Sequence, residues 1–392
     1  MCTTNNCINA TLDERKKKFL MDSVYGLIEL DNRLFQIIDT PHFQRLRYIK
    51  QLGTAYFCFP TATHTRFSHS IGTAYLAGEL FDKLASCDKT LDLRPIDRLI
   101  LQTAGLVHDL GHGPFSHSFE HSIVPQLLGH SNWNHEAQGL RLLDHLLDTE
   151  EVTLFDTSET KRLKQILTGE ISQEYHWLSQ MISNSDYGLD VDRLDYIQRD
   201  SYSVGLQPGF NFTVLSSHVR VIDGKLTFHE KRKSELLQFY QSRYNLYHQI
   251  YHHPTIKAIE LTLADAIINA EPDLKIRETL ENIDKFLVLN DGIYNIMERS
   301  KNQKTKDLIN NICRRRFYPL IYRSETLPPP ELLLDQNNIL DRTVCNYGYG
   351  DENPLDKVPY YSTEECKHNN LLLPCKFEQV EYRVYGRTCR TT

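Results

Sequence analysis

A chain of 392 residues, 40% hydrophobic and 24% charged, can bury one large core or two modest ones, which excludes disorder and fibrous repeats as its dominant state. The formal charge of −7 supplies no overall field for gathering nucleic acid, so a dedicated nucleic-acid binder is not favoured. The start MCTTNNCINATLDERKKKF has no apolar core of signal-peptide length, and no later segment supplies about eighteen uninterrupted apolar residues, so an intracellular protein with no membrane partner is expected, nuclear or cytoplasmic. The nine cysteines form no Cys-x-x-Cys pair and are expected as free thiols; only around Cys345, Cys366, Cys375 and Cys389, close together near the C-terminus, does pairing stay open.

In chain order, Thr40 predicts an N-cap, Pro41 a first helical position and Gly53 a stop for a short helix through PHFQRLRYIKQLG. Ile96, Leu99, Ile100, Thr103, Leu106, Val107 and Leu110 recur at three- and four-residue steps, so a half-buried helix carries His108 and Asp109 near its end. Leu189, Leu194 and Ile197 support a helix through DVDRLDYIQRD, with Asp192, Tyr196 and Arg199 along one side. VRVIDGKLTF alternates around Asp-Gly and predicts a β-hairpin. A long helix from Glu235 runs to a kink or break at Pro254. Past Leu327 three prolines and NYGYGDENPLDKVPYY end the periodicity and predict a linker into a smaller tail with one strand, VEYRVYG. The expected fold is all-α, mainly helical, with a small β-hairpin insertion and a short α+β or irregular C-terminal appendage. The expected division is a tail at 1–17, one domain at 18–327 and an extension of unknown role at 328–392.

The stretch HDLGHGPFSHSFEHSIVPQLLGHSNWNHE holds histidines at 108, 112, 117, 121, 130 and 135 beside Asp109, Glu120 and Glu136. One histidine on an apolar face is more often a hydrogen-bonded core residue than a ligand; this density reverses that reading. Imidazole nitrogen with carboxylate oxygen suits Mn, Fe, Zn or Mg-type ions, and adjacent His108 and Asp109 can present two ligands from one helix turn. The wider order is His69 in RFSHS, the His108–Asp109 doublet, then Asp192 in DVDRLDY.

That order resembles the HD-domain superfamily of metal phosphohydrolases. IIDTPHFQRLRYIKQLG, FPTATHTRFSHSIGTAYLAG, AGLVHDLGHGPFSHSFE, WNHE and GLDVDRLDYIQRD, in this order, resemble segments of its SAM-and-HD-domain deoxynucleoside triphosphate (dNTP) triphosphohydrolases. The resemblance covers residues 18 to about 325, finds no room for an N-terminal SAM domain, and leaves the tail unmatched. It implies a divalent metal on His69, His108, Asp109 and Asp192, which would lower the pKa of a bound water and polarise a phosphoryl oxygen, and hydrolysis of a dNTP to deoxynucleoside and tripolyphosphate. His135 and Glu136 match the family's catalytic pair, with His135 as proton donor to the leaving oxygen, and His112 and His117 match phosphate-contacting positions. Arg66, Arg193, Tyr196, Asp200 and Arg243 would line triphosphate and sugar; Gln51, Leu52 and Tyr251 would sit at the deoxyribose and leave no space for a 2′-OH.

The resemblance also implies a homo-oligomer, dimer or tetramer, with GTP as an activator at subunit contacts through Lys18, Asp39, Gln44 and Arg47. The chain departs from the pattern with Arg193 for a common lysine and Glu120 for a common aspartate. Tyr247, Gln249 and Pro254 stand where basic residues or histidine are common, which puts substrate affinity, base tolerance and effector-driven assembly in doubt, and the absence of a broad arginine match around His229 to Glu235 weakens the inference of a second effector. Two other readings stay open. One is an HD hydrolase of nucleoside monophosphates, cyclic nucleotides or guanosine polyphosphates, which the metal core alone permits. The other is a non-catalytic nucleotide or nucleic-acid sensor using the basic run Arg314, Arg315 and Arg316.

Overall fold

The computed structural model describes residues 17–88, 91, 93–129, 132–362 and 378–388. An antiparallel hairpin comes first, β1 (Lys17–Asp22) with β2 (Gly26–Asp31). Ile28 and Leu30 of this hairpin are buried while Phe19, Met21 and Leu27 stay exposed, the alternation a two-faced ribbon requires. The sequence reading had not anticipated it. Thr40 then caps a helix begun by Pro41, its hydroxyl accepting from Phe43 N–H. This helix is shorter than expected: it is α-helical over Pro41–Gln44, tightens to a 3-10 turn over Arg45–Tyr48 and stops at Ile49. The reason is a competing partner, since Ile49 O accepts from Arg66 N and Gln51 N donates to His64 O.

Helices build the body: α1 (Arg66–Cys87), α2 (Pro95–Val107), α3 (His135–Thr149), α4 (Val191–Val204), α5 (Lys233–Leu246), α6 (Pro254–Asn269) and α7 (Gln303–Cys313). In α2 the periodic residues Leu99, Ile100, Thr103, Leu106 and Val107 are all buried, so the amphipathic pattern does what its spacing predicts. Pro95 opens this helix and Asp97 closes a capping box with Arg94. α2 and α4 both pack on α1, and α7 packs on α6. The expected break at Pro254 is more elaborate: α5 runs into a π-helical turn at Tyr247–Tyr251 before Pro254 opens α6. Such a turn re-aims side chains and is common at functional sites.

The Asp-Gly hairpin forms as read, β3 (Val219–Ile222) with β4 (Lys225–His229) around Asp223 and Gly224, both at positive φ. A short strand β7 (Tyr360–Tyr361) adds to β4 in parallel. A second sheet places β8 (Glu378–Gly386) between β5 (Leu320–Ser324) and β6 (Asn338–Asn346), antiparallel to both. The chain past residue 327 therefore pairs with strands that precede it, at 228–229 and at 320–324. The fold is mainly helical with small β elements. Cys58, Cys87 and Cys313 are free thiols; Cys366, Cys375 and Cys389 lie outside the described residues, as does His130. Among the described residues no helix is long and apolar enough to cross a membrane.

Candidate active site

Four side chains from two helices and one helix end converge. His69 comes from the first turn of α1, His108 is the C-cap of α2 with Asp109 next to it, and Asp192 lies in the first turn of α4. His69 Nε2 is 3.2 Å from His108 Nε2, 3.1 Å from Asp192 Oδ1 and 3.5 Å from Asp109 Oδ2. His108 Nε2 is 3.5 Å from Asp109 Oδ2 and 3.5 Å from Asp192 Oδ1. Donors about 2.1 Å from one ion stand about 3.0 to 3.4 Å apart at octahedral or tetrahedral angles, so these separations fit one shared cation. Burial disfavours a proton on His69, yet Asp192, Asp195 and Asp109 outweigh it and raise its pKa to about 10. The cluster therefore draws positive charge to itself. His69, His108 and Asp109 by themselves form a group of metal-binding type.

The rear nitrogens are pinned, as metal-ligating imidazoles require. His108 Nδ1 lies 2.8 Å from Gly105 O, and His69 Nδ1 lies 2.7 Å from Asp195 Oδ2. Asp195 takes a two-point contact from Arg199 at 2.9 Å each, and Arg199 reaches Asp22 of β1 at 2.9 Å. Gly72, one turn after His69, makes the space: a Cβ there would stand 2.0 Å from Asp195 Oδ1. Sequence reasoning put Arg199 on the same helix side as Asp192 but missed Asp195. Its signal was available, an acid three residues after Asp192 and four before an arginine.

Beside this centre the imidazoles pack together. His112 Nε2 is 3.3 Å from Asp109 Oδ1, and its ring stacks on His135 with centroids 3.9 Å apart. The His117 ring meets both at near-right angles. Burial, with Arg66 and His135 nearby, holds His112 well below the usual histidine range, so it is neutral. His135 Nδ1 is 2.7 Å from Glu120 Oε2. Glu136, expected as the partner of His135, is exposed on the first turn of α3 instead. Glu136 lies about 100° round the helix from His135, on the exposed side, while Glu120 approaches from a separate turn. Arg66 is buried and reaches Asp109 Oδ2 at 2.5 Å and Ser116 Oγ at 2.8 Å. Phe115 and Ser116 both hold positive φ, a costly conformation for residues with side chains. It is secured by Phe115 N donating to Asp291 and by Ser116 Oγ donating to Lys50 O, each at 2.7 Å.

A cavity of about 340 Å³ opens next to Arg66 and His117, with Gln51, Leu52, Tyr196, Asp200, Tyr247 and Tyr251 among its walls. Asp200 is braced by Tyr251 Oη at 2.6 Å and His64 Nε2 at 2.7 Å. Gln51 Oε1 and Arg66 Nη2 are buried without a hydrogen-bond partner among the described residues, an acceptor and a donor that a polar ligand would satisfy. Lys257 and Glu260 of α6 also line the cavity, which the sequence reading did not foresee. Arg193 pairs with Asp190, the N-cap of α4. Arg243 lies over the Tyr247 ring at 4.3 Å. The four residues expected at an activator site form no comparable cluster within one chain. Arg47 Nε donates to Gln44 Oε1 at 2.7 Å and its guanidinium lies over Phe67, while Lys18 sits over Phe35 and Asp39 is exposed.

Residues 66–200 match the HD domain family, the stretch that runs from Arg66 to Asp200. The chain is 31% identical to the deoxynucleoside triphosphate triphosphohydrolase SAMHD1 homolog of Dictyostelium discoideum, over 95% of this chain and 78% of that protein. It is 30% identical to SAMHD1 of Homo sapiens, over 94% of this chain and 70% of that protein. An HD domain-containing protein of Acanthamoeba polyphaga mimivirus is 28% identical, over 96% of this chain and 94% of that protein. This coverage exceeds residues 18–327, so the likeness runs into the C-terminal extension, where the sequence reading recognised none. By extent and identity, the chain belongs to the SAMHD1 family of deoxynucleoside triphosphate triphosphohydrolases.

Proposed function

We propose that this chain hydrolyses dNTPs at the α-phosphorus, releasing deoxynucleoside and inorganic tripolyphosphate, with a divalent cation bound by His69, His108, Asp109 and Asp192. The observation that carries the reading is the convergence of these donors at 3.1 to 3.5 Å on the His69 and His108 Nε2 atoms beside a cavity of nucleotide size. Two imidazoles and two carboxylates accept Mn, Fe, Zn or Mg-type ions. A cation there supplies Lewis-acid polarisation of the phosphoryl group and a more acidic water.

The protein's own groups complete the chemistry. Glu120 accepts from His135 Nδ1–H and so supports the doubly protonated ring, whose Nε2–H is the proton given to the leaving 5′ oxygen. Neutral His112 and His117 donate to phosphate oxygens without repelling the nearby cation. Arg66, Arg193 and Arg243 neutralise triphosphate charge, and their planar forks suit its paired oxygens. Tyr196 and Asp200 position phosphate and sugar. Gln51 and Leu52 face the deoxyribose, and Tyr251, anchored on Asp200, closes the wall where a 2′-OH would project.

The reading extends to activation by GTP or a dNTP between copies of the chain, through Lys18, Asp39, Gln44 and Arg47. The exposed Phe19, Met21 and Leu27 on the hairpin beside Lys18 suit a surface covered in a homo-oligomer. The test is chromatography of products from each dNTP and each NTP with Mg or Mn, with and without GTP. Tripolyphosphate from dNTPs alone is the expected result, and stimulation by GTP reports the activator site. Cleavage only of monophosphates or cyclic nucleotides would overturn the triphosphohydrolase reading.

A further inference from the structure

Arg243 is held from behind by the far end of the chain. Its Nη1 donates to Asn346 O at 3.1 Å. Gly348 lies against the guanidinium: a Cβ built there would stand 3.4 Å from Cζ, 3.4 Å from Nη1 and 3.6 Å from Nη2. Nearly equal distances to three atoms mean that Gly348 meets the flat of the group. Gly348 adopts φ +105°, open in practice to glycine alone. The turn is braced on both sides. Gly348 N donates to Asn346 Oδ1 at 2.7 Å, and Asn346 Nδ2 donates to Glu378 of β8 at 3.2 Å. Tyr347 stacks on Tyr244 of α5 with centroids 4.7 Å apart. Tyr349 Oη donates to Ser185 O at 3.1 Å and packs on Gly188, close to Arg193.

We propose that the turn at 346–349 is a positioning element for the triphosphate-binding arginines, which assigns a task to the C-terminal extension. The inference rests on the placing of Arg243 at the triphosphate in the functional reading above. An arginine loses rotamer freedom when it clamps a phosphate; a turn that has already ordered the guanidinium removes part of that cost from binding. The turn touches both α5, which carries Arg243, and the loop ahead of α4, which carries Arg193. It thereby sets the spacing of two cations that must meet one polyanion.

The test uses Gly348→Ala, whose methyl would touch the guanidinium at a φ that alanine avoids, and Tyr349→Phe, which removes only the anchor to Ser185. Binding of inorganic tripolyphosphate is measured by calorimetry, and KM and kcat with a dNTP, each also in an Arg243→Ala background. Gly348→Ala is expected to weaken tripolyphosphate binding and raise KM on the order of tenfold, with kcat changed far less. Tyr349→Phe is expected to do the same to a smaller degree, which keeps the test alive if Gly348→Ala does not fold. In Arg243→Ala both effects should vanish, because the cycle isolates coupling through Arg243. Equal losses in both backgrounds, or an unchanged KM with a lower Tm, would refute the positioning role while the functional reading stands. A wild type that does not bind tripolyphosphate refutes the functional reading, and this inference with it.

Discussion

His69 and Asp195 are joined by a 2.7 Å contact from Nδ1 to Oδ2, and this contact decides which imidazole nitrogen faces the cation site. With Nδ1–H committed to the carboxylate, Nε2 is the nitrogen turned toward Asp109, Asp192 and His108. Asp195→Ala should therefore weaken metal affinity about 10- to 100-fold while leaving every ligand in place. Chelator competition monitored by metal analysis measures it; undiminished affinity would show that Asp195 serves only the fold.

Glu120 and Glu136 separate two accounts of His135. The 2.7 Å contact belongs to Glu120, so Glu120→Gln should lower kcat by about 10²- to 10⁴-fold. It should also move the acidic or basic limb of the pH–rate profile. Glu136→Gln should cost far less. Equal losses would reinstate Glu136 as the partner.

Tyr251 stands on Asp200 at 2.6 Å and forms part of the cavity wall. Tyr251→Ala should open that wall, raising kcat/KM for NTPs relative to dNTPs by about 10-fold or more. Competition between matched ribo- and deoxyribonucleotides gives the ratio directly, and an unaltered ratio places sugar discrimination elsewhere.

Arg199 bridges Asp195 and Asp22 with all three side chains buried. Arg199→Ala leaves two buried carboxylates facing each other, and unfolding free energy should fall by about 3–5 kcal/mol. Urea denaturation measures this, and a loss below about 1 kcal/mol would mean that solvent reaches the pair.

His42 tests the acid limb of stability away from the catalytic centre. Burial, with His145 and Arg45 nearby, lowers its pKa to about 4, whereas the unfolded chain titrates near 6.5. Between pH 6.5 and 4 the unfolded state binds the proton that the folded state refuses, so stability falls as pH falls, by at most about 1.4 kcal/mol per pH unit for this group. His42→Gln should flatten that slope in Tm against pH. A parallel displacement of the whole curve would mean that another group carries it.

Much of the fold was legible because the cues are local. The apolar steps in α2, the Asp-Gly turn between β3 and β4 and the Thr40 cap each depend on residues within a few positions of one another. The cues failed where a distant segment competed: Pro41–Gln44 stays short because the backbone at 49–51 bonds to residues 64–66. The π turn at 247–251 was equally hidden, since a proline three residues further on already accounted for a break.

For the site, the sequence by itself determined the chemistry on offer: a histidine-rich stretch, an His-Asp doublet at a helix end and an aspartate opening a later helix. Residue type and helical spacing carry that information without any fold. Only the tertiary structure decided which acid meets which imidazole, Glu120 rather than Glu136 at His135 and Asp195 behind His69. Only it brought Asn346 and Gly348 against Arg243, about a hundred residues away. Such pairings depend on how separate helices and turns are packed against one another, a property of the closed core that no local pattern records.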